Sequence, residues 1–316
     1  MNLRPLDPSL AFGGTEDDPR LGSRLVPAGE RAPVVLLGCA DDTGVRNGAG
    51  RGGSALGPTE IRRWLYRQST GLAGELAGLR LADMGDVLPS ESIEETHREI
   101  ESAVAGAARD GAIVIFLGGG SDLSYGSQSG LFEGLKGKGA VLNVDARMDA
   151  RPLKDGRIIT SGTPFRRLIE RWGDRLTTVV ELGIQPHHVS AVHAAYLKSK
   201  RARIATLEEL RQAPGPVERF KRELGAAFGT VDFAGVTLDL AVAAAAFAPG
   251  VSTPSPDGLS AEEVAKFADW AGRNVKVRLL DVVEVAPPHD ENGRTARLAA
   301  LCVWRFLAGL ATRPQR

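Results

Sequence analysis

The stretch whose reading decides the fold is Ala140-Val141-Leu142-Asn143-Val144-Asp145-Ala146-Arg147-Met148-Asp149-Ala150-Arg151. It opens as an apolar run with a single polar interruption, the pattern of a strand covered on both faces of a parallel sheet. Carboxylates follow at Asp145 and Asp149, where such a strand leaves the sheet and where open α/β sheets bind their ligands. Between them stands Arg147, a permanent cation that has donors but no lone pair to give a metal.

Similar runs recur outward from this one. Strands are expected at 33–38, 78–83, 112–117, 140–144, 177–182, 202–206, 235–240 and 275–283, eight in all. Helical patterns lie between them, opening after Gly57-Pro58, where proline suits a first turn. Two more open at Ser92-x-x-Glu95 and Ser260-x-x-Glu263, which have the form of capping boxes. Others fit 122–135, 188–199, 215–229 and 293–312. Alternation of buried strands with helices predicts an α/β fold, a three-layer α/β/α sandwich on an eight-stranded, mainly parallel sheet. Residues 1–30, rich in Pro, Gly and acids, read as an irregular arm. No repeat or linker divides the rest of the chain, so 31–316 reads as a single domain.

Composition narrows the function classes. The 316 residues carry 39 Lys+Arg and 39 Asp+Glu, a balance that argues against nucleic acid or an anionic membrane as partner. Cys39 and Cys302, the only cysteines, both lie in apolar surroundings and read as buried thiols in a reducing compartment. With no signal pattern and no apolar stretch of membrane-spanning length, a cytoplasmic protein is expected.

Four strand ends gather polar groups. One run enters Gly118-Gly119-Gly120-Ser121-Asp122, and the 140–144 run enters Asp145 to Asp149. Asp239 closes another run, and Glu284 follows the last. Acids converging on one crevice need a balancing cation, either a divalent metal or an arginine. The glycines 118–120 lack the Lys-Ser/Thr of a phosphate loop and read as close backbone packing.

In this order, the motifs resemble those of the ureohydrolase family, which includes arginase, agmatinase and formimidoylglutamase. GCADDTGVRNGAGRGGSALGPTEIRR (38–63) resembles its first-strand loop and helix. GGGSDLSYGS (118–127) is similar to the GGGHEIAYGS-type segment of formimidoylglutamases, NVDARMDARP to the family's DAHxD block, and SGTPFR (161–166) to the substrate loop. TLDLAVAAAAFAPGVSTPSPDGLS (237–260) is similar to the DxD block with its trailing APG segment, and DVVEVAPPHDENGRTARLAA (281–300) to the closing motif.

The resemblance implies two manganese ions held by two histidines and four aspartates. The first histidine falls on Ser121, the second on Arg147, and the last aspartate on Ala241. Asp145, Asp149 and Asp239 remain. The positions at Arg147 and Ala241 are the second ion's private ligands, so a binuclear manganese site is not expected. At most one weakly bound divalent cation, manganese or magnesium, would be held by Asp145, Asp149 and Asp239 with Ser121; oxygen donors suit such hard ions. Arg147 is expected to pair with Asp145 or Asp239.

The same resemblance makes Glu284 the receptor of an amidinium group, Asp149 the group that orients water, and Ser161 and Arg166 the binders of a substrate carboxylate. Ser161 also reads as a helix N-cap and Arg166 as a solvated charge. Asn47 and Arg51 would either shape the crevice mouth or hold the loop or a subunit contact. Asp122 reads as a cap of the helix that follows it, the alternative being a substitute metal ligand if its loop shifted. His187 and His188 are expected to point apart. The implied function is that of a formimidoylglutamase-like chain without its metal pair, catalytically impaired or inactive. Its ligand would be a small amidine or amino-acid-like molecule, and its assembly a homo-oligomer, trimeric or hexameric. The alternative is a mono-metal or metal-free hydrolase cleaving a C–N bond of a linear amidine.

Overall fold

The computed structural model describes residues 2–314. Its strands are β1 (Leu3–Arg4), β2 (Val34–Cys39), β3 (Leu81–Val87), β4 (Ile113–Gly118), β5 (Gly139–Val144), β6 (Leu176–Ile184), β7 (Arg203–Thr206), β8 (Phe233–Asp239) and β9 (Val277–Val283). They form one sheet in the order β1-β3-β2-β4-β9-β8-β5-β6-β7, parallel throughout except for β1. The apolar run that fixed the expectation is β5, and every residue of it is buried.

The sheet has nine strands rather than eight. The ninth, β1, is two residues long and lies in the N-terminal arm, pairing antiparallel with Val87 and Asp86 of β3. Two residues carry no period, so only tertiary pairing reveals them. Strand β3 begins at Leu81 and runs through Asp83 and Asp86. Both acids are tolerated within the sheet because the buried Arg62 guanidinium meets them, Nε to Asp83 at 2.9 Å and Nη1 to Asp86 at 2.6 Å.

The helices are α1 (Thr43–Asn47), α2 (Gly57–Leu65), α3 (Ile93–Arg109), α4 (Ser124–Gly134), α5 (Pro164–Trp172), α6 (Ala191–Ser199), α7 (Leu207–Arg211), α8 (Pro216–Phe228), α9 (Ala261–Arg273) and α10 (Arg294–Ala311). Packing of α3 on α4 and of α4 on α5 makes one outer layer; α2, α8, α9 and α10 make the other. Alternate residues of the strands feed the two cores. Leu36, Ile115, Leu142, Val236 and Leu280 face one, and Leu37, Phe116, Val141 and Leu279 face the other. Ser260 and Glu263 form a complete capping box on α9, and Ser92 accepts the Glu95 N–H at the start of α3. Helices α1 and α7 were not expected, and α5 only through the N-cap reading of Ser161. In α5 the segment that read as a loop continues through Pro164 at the first turn, with Phe165 and Leu168 buried beneath it. No described helix is long and apolar enough to cross a membrane.

Candidate metal and amidine site

The central neighbours β4, β9, β8 and β5 are consecutive in the sheet. The four motifs leave from their carboxyl ends, so Ser121, Glu284, Asp239 and Asp145 are delivered to one place from four adjacent strands. Asp149 arrives from the turn after β5. Together with Arg147, Arg151, Ser161, Ser252 and loop residues 48–50, these line a crevice of about 160 Å³.

Asp145, Asp149 and Asp239 each bring a carboxylate oxygen within 4.8 Å of the others, all three buried. Burial pushes Asp145 and Asp239 well above the usual carboxylate range, and the neighbouring acids push them further. Burial raises Asp149 to about 6, against the pull of Arg147 and of the nearby Ser121 hydroxyl. Asp145 Oδ1 has no hydrogen-bond partner, whereas Asp239 Oδ1 accepts the Ala241 N–H at 2.7 Å.

Glu284 is gripped from two sides. Its Oε1 accepts the Ser121 N–H at 2.9 Å and its Oε2 accepts the Ser252 hydroxyl. Burial nevertheless lifts it to about 7. Its own N–H donates to the carbonyl of Gly119. A Cβ on Gly119 would stand 2.0 Å from the Asp41 carbonyl oxygen, so close backbone packing does govern this glycine. Asp149 and Glu284 both hold left-handed backbone, with φ of 41° and 68°. Such strain in non-glycine residues gathers at functional sites.

Several expectations change. Arg147, half-buried, makes no ion pair within 4.0 Å among the described residues; it acts on Asp145 and Asp149 through space. The Ser121 hydroxyl donates to the Ser161 carbonyl at 2.8 Å. Ser161 is in the lining, and the cap position of α5 belongs to Thr163. Arg166 is not in the lining: it pairs with Glu170 one turn on and stacks over Tyr196. Arg151, which sequence reasoning passed over, is in the lining, and Gly162 leaves room for its side chain.

Asn47 and Arg51 hold loops, through the carbonyls of Ile159 and of Val251 and Ser252 respectively. Asp122 caps nothing. It is buried against His97 Nε2 at 3.0 Å, a partner that no spacing in the sequence indicated. The rings of His187 and His188 lie 4.1 Å apart rather than diverging.

The pattern that defines the Arginase family matches residues 32–309. The chain belongs to the arginase family. A formimidoylglutamase of Geobacillus kaustophilus is 33% identical over 94% of this chain and 90% of its own length. Among solved structures, Trypanosoma cruzi formiminoglutamase with Mn2+ superposes with a TM-score of 0.84 at 33% identity, covering 94% of this chain and all of that one. Formimidoylglutamase from Bacillus subtilis reaches 0.87 at 26% identity, covering 96% and 95%. Within the arginase family, the likeness is thus to formimidoylglutamases.

Proposed function

We propose that this arginase-family chain is a formimidoylglutamase-like protein without the second metal of a binuclear manganese site. On this reading it is catalytically impaired or inactive and keeps an amino-acid-sized pocket. The observation that carries this is the pairing of an intact buried triad, Asp145, Asp149 and Asp239, with Arg147 in the lining of the same crevice and Ala241 bonded through its N–H to Asp239 beside it.

The donor set fits one ion. Oxygens on a single hard cation at about 2.1–2.5 Å lie within about 5 Å of one another, which the triad satisfies. Asp145 Oδ1, buried with no partner, is a free donor for it. On this reading no second ion is held: the side chains of Arg147 and Ala241 offer no lone pair, and the Ala241 N–H already engages Asp239. Manganese or magnesium, held by Asp145, Asp149, Asp239 and Ser121, would supply Lewis-acid polarisation when bound.

The ligand we assign is a small amidine or amino-acid-like molecule, since about 160 Å³ is small beside the roughly 300–1,000 Å³ of most ligand pockets. Glu284, fixed by Ser121 and Ser252, takes the cationic amidinium. Ser161 meets a carboxylate at the other end. Arg166 was assigned the same task by resemblance, but Glu170 holds it aside, and Arg151 is the arginine placed for it.

A second reading, a mono-metal or metal-free hydrolase of a linear amidine C–N bond, draws on one observation. Asp149 at about 6 and Glu284 at about 7 lie where acids exchange protons near neutrality. Asp149 would then take the proton of the attacking water. We further propose a trimeric or hexameric homo-oligomer in the cytoplasm, without nucleic-acid or membrane partners.

Elemental analysis after purification with manganese, alongside a C–N hydrolysis assay on formimino and guanidino compounds, separates the readings. About one equivalent of metal with turnover would sink the inactive reading, and no metal with no turnover would sink the hydrolase. Roughly two equivalents would overturn the loss of the second ion.

A further inference from the structure

On the outer face of α3, away from the carboxylates, runs a groove of about 690 Å³ lined among others by Glu94, Arg98, Tyr125, Glu133, Arg167 and Arg171. None of these residues belongs to the strand-end crevice. We propose that this groove is a second ligand site, one that binds the zwitterionic end of an amino acid with its carboxylate on Arg167.

Arg167 and Arg171 stand one turn apart on α5 and are held quite differently. Arg171 is satisfied, its two Nη atoms reaching the Glu101 carboxylate at 2.6 and 2.7 Å. Arg167 has no carboxylate within 4.0 Å among the described residues. Instead its guanidinium lies over the Tyr125 ring at 3.6 Å from the centroid, and Nη1 donates to His97 Nδ1 at 3.0 Å. Because His97 accepts there, its Nε2 carries the proton given to Asp122, so the imidazole is neutral and supplies Arg167 with no counter-charge. Asp122 and Glu94 act on Arg167 only through space.

The result is a half-buried cation locked in one orientation. Its remaining donors form a planar fork suited to a carboxylate. Holding the fork in place beforehand removes an ordering cost from binding. Arg98, exposed on the same stripe of α3, adds positive charge. Glu94 and Glu133 also line the groove and are exposed. They would repel a phosphate dianion but attract an ammonium, so lining of both signs selects a zwitterion.

The test is calorimetric titration of the full chain with L-glutamate and with glutarate, which lacks the ammonium. Glu284→Gln disables the crevice, and Arg167→Ala disables the groove. L-glutamate is expected to bind the native chain and the Glu284→Gln chain alike. Loss of a charged hydrogen-bonding partner weakens binding about tenfold or more, the effect expected when Arg167→Ala is added to the Glu284→Gln chain. Glutarate is expected to bind more weakly than L-glutamate. A double Glu94→Gln, Glu133→Gln change on the exposed rim leaves the packing of Arg167 untouched and is expected to abolish that preference. Absence of L-glutamate binding to the native chain would overturn the proposal. So would binding lost in Glu284→Gln but kept in Arg167→Ala, or glutarate bound as tightly as L-glutamate.

Discussion

The backbone N–H of Ala241 donates to Asp239 Oδ1 at 2.7 Å. The residue that offers no side-chain ligand therefore occupies, with its main chain, an oxygen of the aspartate two positions before it. Asp239 is fixed in place by this bond, whether or not a cation is present.

Restoring three side chains is thus expected to restore a site without rebuilding the backbone. In the triple variant Ser121→His, Arg147→His, Ala241→Asp, bound manganese should rise to about two equivalents per chain, measured by elemental analysis. A folded triple variant that takes up no metal would show that the ligand positions are misassigned.

Gly119, behind the crevice, leaves no room for a methyl. A Cβ there would meet the Asp41 carbonyl at 2.0 Å, and the Gly119 carbonyl holds the Glu284 N–H. Gly119→Ala is expected to destabilise the chain by more than about 2 kcal/mol in urea denaturation. Gly106→Ala, where nothing lies within 4 Å of the added carbon, should have little effect or stabilise slightly.

Arg62 is buried between Asp83 and Asp86, with Tyr66 also bonded to Asp83. Arg62→Met keeps much of the volume but takes the buried cation from two carboxylates, leaving Asp83 with no cation and Asp86 with only the exposed Arg4. The expected loss is about 3–5 kcal/mol, read as a fall in denaturation midpoint. Adding Asp83→Asn should recover part of it.

Asp281 provides a pH signature from outside the lining of the carboxylate crevice. It is buried, accepts from Ser127, Gln128 and Thr237, and burial raises it to about 7. Between its unfolded value near 4 and this folded value, the native state keeps a proton that the unfolded state has released. Stability contributed by this group is therefore present at acidic pH and falls as pH rises, by up to about 1.4 kcal/mol per unit. Asp281→Asn should flatten the stability profile between pH 5 and 7 relative to the native chain, measured by denaturation at each pH.

Much of this architecture was legible because the chain's central strands are buried on both faces and so write unbroken apolar runs. All eight expected strands are present, with edges moved by a few residues. What escaped lacked such a signal. Strand β1 is too short to show a period, and α5 was hidden because SGTPFR reads as a loop until Phe165 and Leu168 are seen packing inward. The gathering of Ser121, Asp145, Asp149, Asp239 and Glu284 on one crevice could be read from strand ends. The direction of Arg166 could not, because Glu170 and Tyr196 decide it. Nor could the His97–Asp122 pair, whose members lie on different elements and meet only in the folded core.

The left-handed backbone at Asp149 and Glu284 sets stability against function within single residues. Glycine at either position would relax the main chain while discarding the acid, so a chain tuned for endurance alone should gain from the exchange. Parallel selections, one scoring survival on heating and the other ligand capture, would pull these two positions in opposite directions if the crevice still works. Agreement between the selections would mark them as relics.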